Sequence, residues 1–142
     1  LAFGRVYASW FFSQDFFREG LYRDIGLASI EDVVRLTQRY FLQSDANDLL
    51  AMADTWRSGD ISANPEFNGD LAAALRAITA RAIVLPGATD LYFRVADNAL
   101  ELAQMPNAEL RPIPSSWGHT AGFGINPPDN EFIDQALEEL LT

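Results

Sequence analysis

The sequence predicts an α/β protein, comprising the last strands and helices of a parallel sheet preceded by an all-helical region. Three observations carry this expectation. Ala82–Leu85 is a short continuous apolar run of strand length, and Ala108–Ile113 is a second strand candidate beyond a helical segment, as in a strand–helix–strand unit. The hydrophobic period changes across Ser58–Asn68, a stretch rich in Gly, Asp, Asn and Pro that suits a loop. Each segment leads into a polar turn, the first ending at Asp90 and the second at Ser115-Ser116-Trp117-Gly118-His119-Thr120. Open parallel sheets collect their chemistry in such turns, beyond the carboxyl ends of their strands.

In chain order, residues 1–68 form a helical region and residues 69–142 the strand-containing region. Trp10, Phe11, Phe12, Phe16, Phe17, Leu21 and Tyr22 load the first segment with aromatics at broadly helical spacing. A second helix starts at Ser29, whose hydroxyl can cap while Asp32 answers three residues on, with Ile30, Val33, Val34, Tyr40 and Phe41 as its apolar stripe. A third runs from Asp45 through Leu49, Leu50, Met52, Ala53 and Trp56 and stops at Gly59. Asp70 caps a short helix bearing Leu71, Leu75 and Ile78. Ala82–Leu85 suits a strand covered on both faces, Val95–Met105 a helix, and Ala108–Ile113 a second strand that Pro112 pushes towards a sheet edge. Pro127-Pro128-Asp129 opens a final helix carrying Phe132, Ile133, Ala136, Leu137, Leu140 and Leu141. Two parallel strands need neighbours and cover on both faces. The expectation is therefore that most of the sheet lies in sequence outside these 142 residues.

Composition narrows the function. An apolar share of 49% with 12% aromatics fits an ordered single domain. Ten Lys and Arg stand against 20 Asp and Glu, a formal charge of −10, with no basic run to neutralise phosphates or anionic lipid. Neither a nucleic acid nor a membrane surface is an expected partner. There is no cysteine and a single histidine, so a zinc site would need carboxylates for nearly every ligand. No apolar run reaches the ~18–20 residues of a membrane span. Leu1–Phe12 is broken by Gly4 and Arg5 and is not read as a signal peptide, which leaves a cytoplasmic location as the expectation.

The chemistry centres on Asp90 and His119. An acid just past a strand, then a helix, then a Gly-His turn is the second half of a Ser…Asp…His triad in chain order. Imidazole can take and return a serine proton, and a carboxylate behind it fixes the tautomer and stabilises the imidazolium. No Gly-x-Ser-x-Gly occurs in the sequence, so the nucleophile is expected upstream of Leu1. The plainer alternatives are Asp90 as a turn former and His119 as a structural loop residue. Ser115 and Ser116 lie near His119 but not on a strand–turn–helix elbow, and a loop role suits them better. Gly118, Gly122 and Gly124 lack the pattern of a phosphate loop. The aromatics of Trp10–Phe17 belong to a core or interface, or line an acyl or alcohol pocket if these helices form a lid. Tyr92 and Trp117, beside the acid and the base, are the candidate substrate contacts.

Asp70–Arg94, with its Val-Leu-Pro-Gly-Ala-Thr-Asp core, resembles the segment around the triad acid of α/β-hydrolase-fold proteins, in particular the homoserine O-acetyltransferase-like branch. Ile113–His119 resembles that branch's last strand and Gly-His turn. The first region, with Tyr7-Ala8-Ser9-Trp10 and Asp45-Ala46-Asn47-Asp48-Leu49-Leu50, is similar to its inserted helical cap. The resemblance implies the C-terminal part of such a fold, with residues 1–68 as cap and 69–142 as core, Asp90 as orienting acid and His119 as general base. It also implies a small-molecule ester or acyl donor as substrate and the N-terminal half of the same protein as the source of nucleophile and oxyanion hole. A homodimer through the cap aromatics is a further expectation. No cofactor is implied, beyond acetyl-CoA as acyl donor if the enzyme is a transferase. Thr120 stands where homoserine acetyltransferases usually carry an acid, and Arg94 where the branch tends to carry Pro. The expected activity is ester hydrolysis or O-acyl transfer; the alternative is a non-catalytic binding or dimerisation module that keeps the fold alone.

Overall fold

A computed structural model describes residues 1–142. Its elements are α1 (Ala2–Phe11), α2 (Gln14–Glu19), a 3-10 turn (Leu21–Arg23), α3 (Ile30–Phe41), α4 (Ala46–Ser58), α5 (Leu71–Arg76), β1 (Ala82–Val84), α6 (Val95–Leu102), β2 (Ala108–Leu110), a second 3-10 turn (Gly118–Gly122) and α7 (Pro127–Leu141).

The aromatic-rich segment is not one helix. Phe12 is extended, and the Ser13 hydroxyl accepts the Phe16 N–H at 2.9 Å, which starts α2 afresh. That helix ends at Gly20, whose φ of 72° a side chain would resist. The break turns Phe12 and Phe16 inward, where their rings stack with centroids 4.2 Å apart.

Side-chain caps set the starts of α3, α4 and α5 at the residues expected. Ser29 accepts the Asp32 N–H at 3.2 Å, Asp45 the Asn47 N–H at 2.7 Å, and Asp70 the Ala73 N–H at 2.9 Å. The buried faces differ from the sequence expectation. In α3, Val33 and Thr37 are buried, whereas Ile30 and Tyr40 face outward. The cause is α1, which crosses α3 at Gly4. The Thr37 hydroxyl donates to the Gly4 carbonyl at 2.9 Å, and a Cβ on Gly4 would come 2.6 Å from the Gln38 Cα. In α4 no residue is buried, and Leu50, Met52 and Trp56 face outward. Of the stripe expected on α7, Ala136 is buried but Leu137 and Leu141 are exposed.

The two strands pair in parallel, with Ala82 opposite Ala108, Ile83 opposite Glu109 and Val84 opposite Leu110. An isolated bridge from Gly87 to Ile113 continues the pairing beyond them. Both strands are shorter than the segments that announce them, and Pro86 has no N–H to offer the ladder between them. They are half-buried rather than covered on both faces. The main core joins Phe12, Phe16, Tyr22, Val33, Ile113, Trp117 and Ala121, drawing residues from both sides of the Ser58–Asn68 loop. It lies directly beneath the turns that follow the strands. Full burial of Phe16 alone stabilises the fold by roughly 2–3 kcal/mol. No helix is long and apolar enough to cross a membrane.

Candidate active site

Asp90 closes the turn after β1, its N–H donating to the Gly87 carbonyl at 3.0 Å. One carboxylate oxygen, Oδ1, accepts the backbone N–H groups of Tyr92 at 2.7 Å and Phe93 at 3.3 Å. The other, Oδ2, lies 3.0 Å from His119 Nδ1. The carboxylate is therefore fixed by its own turn and has one oxygen left to aim at the imidazole. The Asp90 side chain is 7% exposed and that of His119 18%. A hydrogen bond from Nδ1–H to the carboxylate places the ring proton on that nitrogen and leaves the Nε2 lone pair as the proton acceptor. An open cleft of about 280 Å³ adjoins the pair, lined among others by Leu85, Gly87, Phe93 and Gly118.

His119 reaches this position because Gly118 adopts φ 64°, which reverses the chain after Trp117. Gly118 also lies against Ser13, where a Cβ would come 2.6 Å from the Ser13 nitrogen. Four aromatic rings surround the imidazole: Tyr92 with centroids 4.6 Å away, Phe123 at 5.5 Å, Phe93 at 5.6 Å and Phe11 at 5.8 Å. Trp10 and Trp56 extend this wall beyond Tyr92, at 6.1 and 6.4 Å from its ring. Burial pushes the Tyr92 phenol up, helped by the neighbouring Tyr7 hydroxyl and the Asp90 charge, so it stays neutral at ordinary pH.

The structure brings Asp90, His119 and Tyr92 together and sets Trp117 apart. Trp117 is 5% exposed and packs edge-on against Phe16 with centroids 5.1 Å apart, so it anchors the turn from the core instead of lining the cleft. Its neighbour in sequence, Gly118, is what separates the two directions: Trp117 points inward and the imidazole outward. Ser115 is buried, its hydroxyl donating to Asp129 Oδ2 at 2.8 Å and accepting the Trp117 N–H at 3.1 Å. The Ser116 carbonyl accepts the Ser13 hydroxyl at 2.5 Å. Both serines thus hold the loop. Phe93 and Phe123 escaped the sequence reading; the one signal was their spacing, three residues after the acid and four after the base. No three or more His, Cys, Asp or Glu side chains converge as a metal site.

No protein-family profile matches the chain. It is 39% identical over 131 residues to an ethyl acetate hydrolase of Pseudomonas veronii, a match spanning 92% of this chain and 37% of that protein. Among solved structures, it superposes with a TM-score of 0.90 on an acetylester hydrolase from Corynebacterium glutamicum, at 36% identity over 96% of this chain and 39% of that one. The acetyl esterase MekB gives the same TM-score, 0.90, at 37% identity over 97% of this chain and 40% of its own. The chain spans about two fifths of the length of the relatives it matches. Over nearly its whole length, then, this chain matches the C-terminal part of an esterase.

Proposed function

We propose that this chain supplies the acid and the base of a serine-dependent ester hydrolase of the α/β-hydrolase fold, with residues 1–68 as helical cap and 69–142 as the end of the core. The observation that carries it is the 3.0 Å contact between Asp90 Oδ2 and His119 Nδ1, with Asp90 Oδ1 already held by two backbone N–H groups. The nucleophilic serine belongs to sequence preceding Leu1 in the complete enzyme.

In this mechanism His119 Nε2 takes the serine proton as the serine oxygen bonds to the ester carbonyl carbon. The tetrahedral intermediate collapses, the carbon–oxygen bond to the alcohol breaks, and the imidazolium returns its proton to the leaving oxygen. A water then attacks the acyl-serine with its proton passing to His119, which hands it to the serine as the acid departs. The Asp90 carboxylate holds the ring and offsets its transient charge.

Acetyl esters of small, uncharged alcohols fit best as substrates. The wall of Tyr92, Phe93 and Phe123 offers an acyl or alkyl group apolar contact and no charge, and the relatives are named for hydrolysis of ethyl acetate and acetyl esters. Homoserine fits less well. At the position after the base stands Thr120, fully buried with its hydroxyl donated to the Trp117 carbonyl at 2.8 Å, leaving nothing there to meet an ammonium group. Acyl transfer from acetyl-CoA would use the same two residues, with an alcohol in place of water.

Replacing Asp90 with Asn in the complete enzyme favours the wrong tautomer and should lower kcat on the order of 10³–10⁴-fold. A loss of less than about tenfold would remove Asp90 from the role of orienting acid. Labelling by a fluorophosphonate, with one adduct per active protein, tests the serine independently.

A further inference from the structure

The turns carrying Asp90 and His119 meet at a second point. Thr89 Oγ donates to the Ser115 carbonyl at 2.9 Å and accepts the Gly118 N–H at 3.1 Å. Thr89 immediately precedes the acid and Gly118 immediately precedes the base. The hydroxyl–amide bond and the carboxylate–imidazole bond are thus successive rungs between the same two turns, each spanning 29 residues of chain. The turns are already as close as backbone allows, since a Cβ on Gly87 would lie 2.8 Å from the Gly118 carbonyl oxygen.

Other hydroxyls hold the base turn from elsewhere. Ser13 binds the Ser116 carbonyl, and the Ser115 hydroxyl accepts from Trp117 while donating to Asp129. Both anchor the turn to helical elements, and neither relates it to the acid. Among these hydroxyls, only that of Thr89 lies on the acid's own turn and ties it directly to the turn of the base.

We propose that Thr89 is a positioning residue, whose hydroxyl locks the Asp90 turn to the Gly118–His119 turn and thereby fixes the acid–base separation. The assignment rests on the roles proposed above for Asp90 and His119. Thr89→Val keeps the shape and removes both bonds, leaving the Ser115 carbonyl and Gly118 N–H to move away from the Asp90 turn or recruit water. A displacement on the order of 1 Å in a catalytic group can cost about 100-fold in rate.

The test uses the complete enzyme with Thr89→Val and Thr89→Ser, reading kcat and KM for ethyl acetate together with the far-downfield proton resonance of His119 Nδ1–H, assigned by its upfield move in Asp90→Asn. The expected result for Thr89→Val is a kcat lower by about 10–100-fold, a KM within about twofold because the hydroxyl does not meet substrate, and an upfield-shifted resonance. Thr89→Ser retains the hydroxyl and restores kcat to within about fivefold. An unchanged kcat and resonance in Thr89→Val overturns the assignment, as does an equal loss in Val and Ser variants, which would trace the effect to the methyl group. Should Thr89→Val not fold, Thr89→Ala takes its place with the same expected split between kcat and KM. If the unsubstituted enzyme turns over no ester, the proposed activity fails by itself, and the resonance in the two variants still decides whether Thr89 holds the pair.

Discussion

Helices α3 and α4 are built from similar material and end in opposite situations. Each begins at a side-chain cap, has an acid in its first turn and Arg in its last, and carries large apolar residues along its length. In α3, Val33 is fully buried and Thr37 is 4% exposed, while α4 buries none of its residues. The difference lies in what each helix meets. Gly4 gives α1 a bare backbone surface against which α3 settles, and the Thr37 hydroxyl bonds to the carbonyl exposed there. No corresponding surface approaches α4, whose Trp56 reaches only the outer edge of the aromatic wall, 6.0 Å from the Phe93 ring. An apolar stripe states what a helix is able to bury; a neighbouring surface decides whether it does.

The contrast can be broken at α1. Gly4→Ala places a methyl group 2.6 Å from the Gln38 Cα, a backbone contact that cannot swing aside. It should separate α1 from α3 and lower unfolding stability by about 2–4 kcal/mol, read as a shift in the urea midpoint. An undisturbed midpoint would mean that the two helices do not cross at Gly4.

A matched pair of truncations sharpens the comparison. Val33→Ala removes two methyl groups from a filled site and should destabilise by about 1–2.5 kcal/mol, whereas Leu50→Ala on α4 should remain within about 0.5 kcal/mol of the parent. Equal losses in the two variants would show α4 to be covered in solution, contrary to its exposure here.

The smallest effect concerns pH. The Ser29 hydroxyl, donating at 2.8 Å and seconded by the Arg35 charge, holds the Asp32 carboxyl below its ordinary value of 3.8. A folded-state value below the unfolded one means that Asp32 adds stability above pH 3.8 and loses it as the pH falls further. Melting temperature should therefore drop more steeply on acidification in the parent than in Asp32→Asn. Parallel profiles would show that this cap contributes nothing measurable.

The same division between local and long-range information runs through the candidate site. That a turn follows each strand, with an acid in one and a Gly-His pair in the other, is written in consecutive residues and could be read directly. The direction of each side chain could not. Tyr92 and Trp117 both neighbour the acid–base pair in sequence, yet one lies against the imidazole and the other fills the core. Thr89 gives no signal of its own, since its partners lie 26 and 29 residues away. The aromatic segment misled for a local reason: Ser13 competes with the helix for its own backbone and restarts it, converting one expected helix into two.

By itself the sequence determined where four of the helices begin, through Ser29, Asp45, Asp70 and Pro127, and which two segments became β1 and β2. Those signals act within a few residues, between a side chain and nearby backbone. The tertiary structure alone decided which faces are covered, which aromatics enclose His119 and how the Asp90 and His119 turns are joined, because each depends on surfaces that approach only when distant parts of the chain have packed.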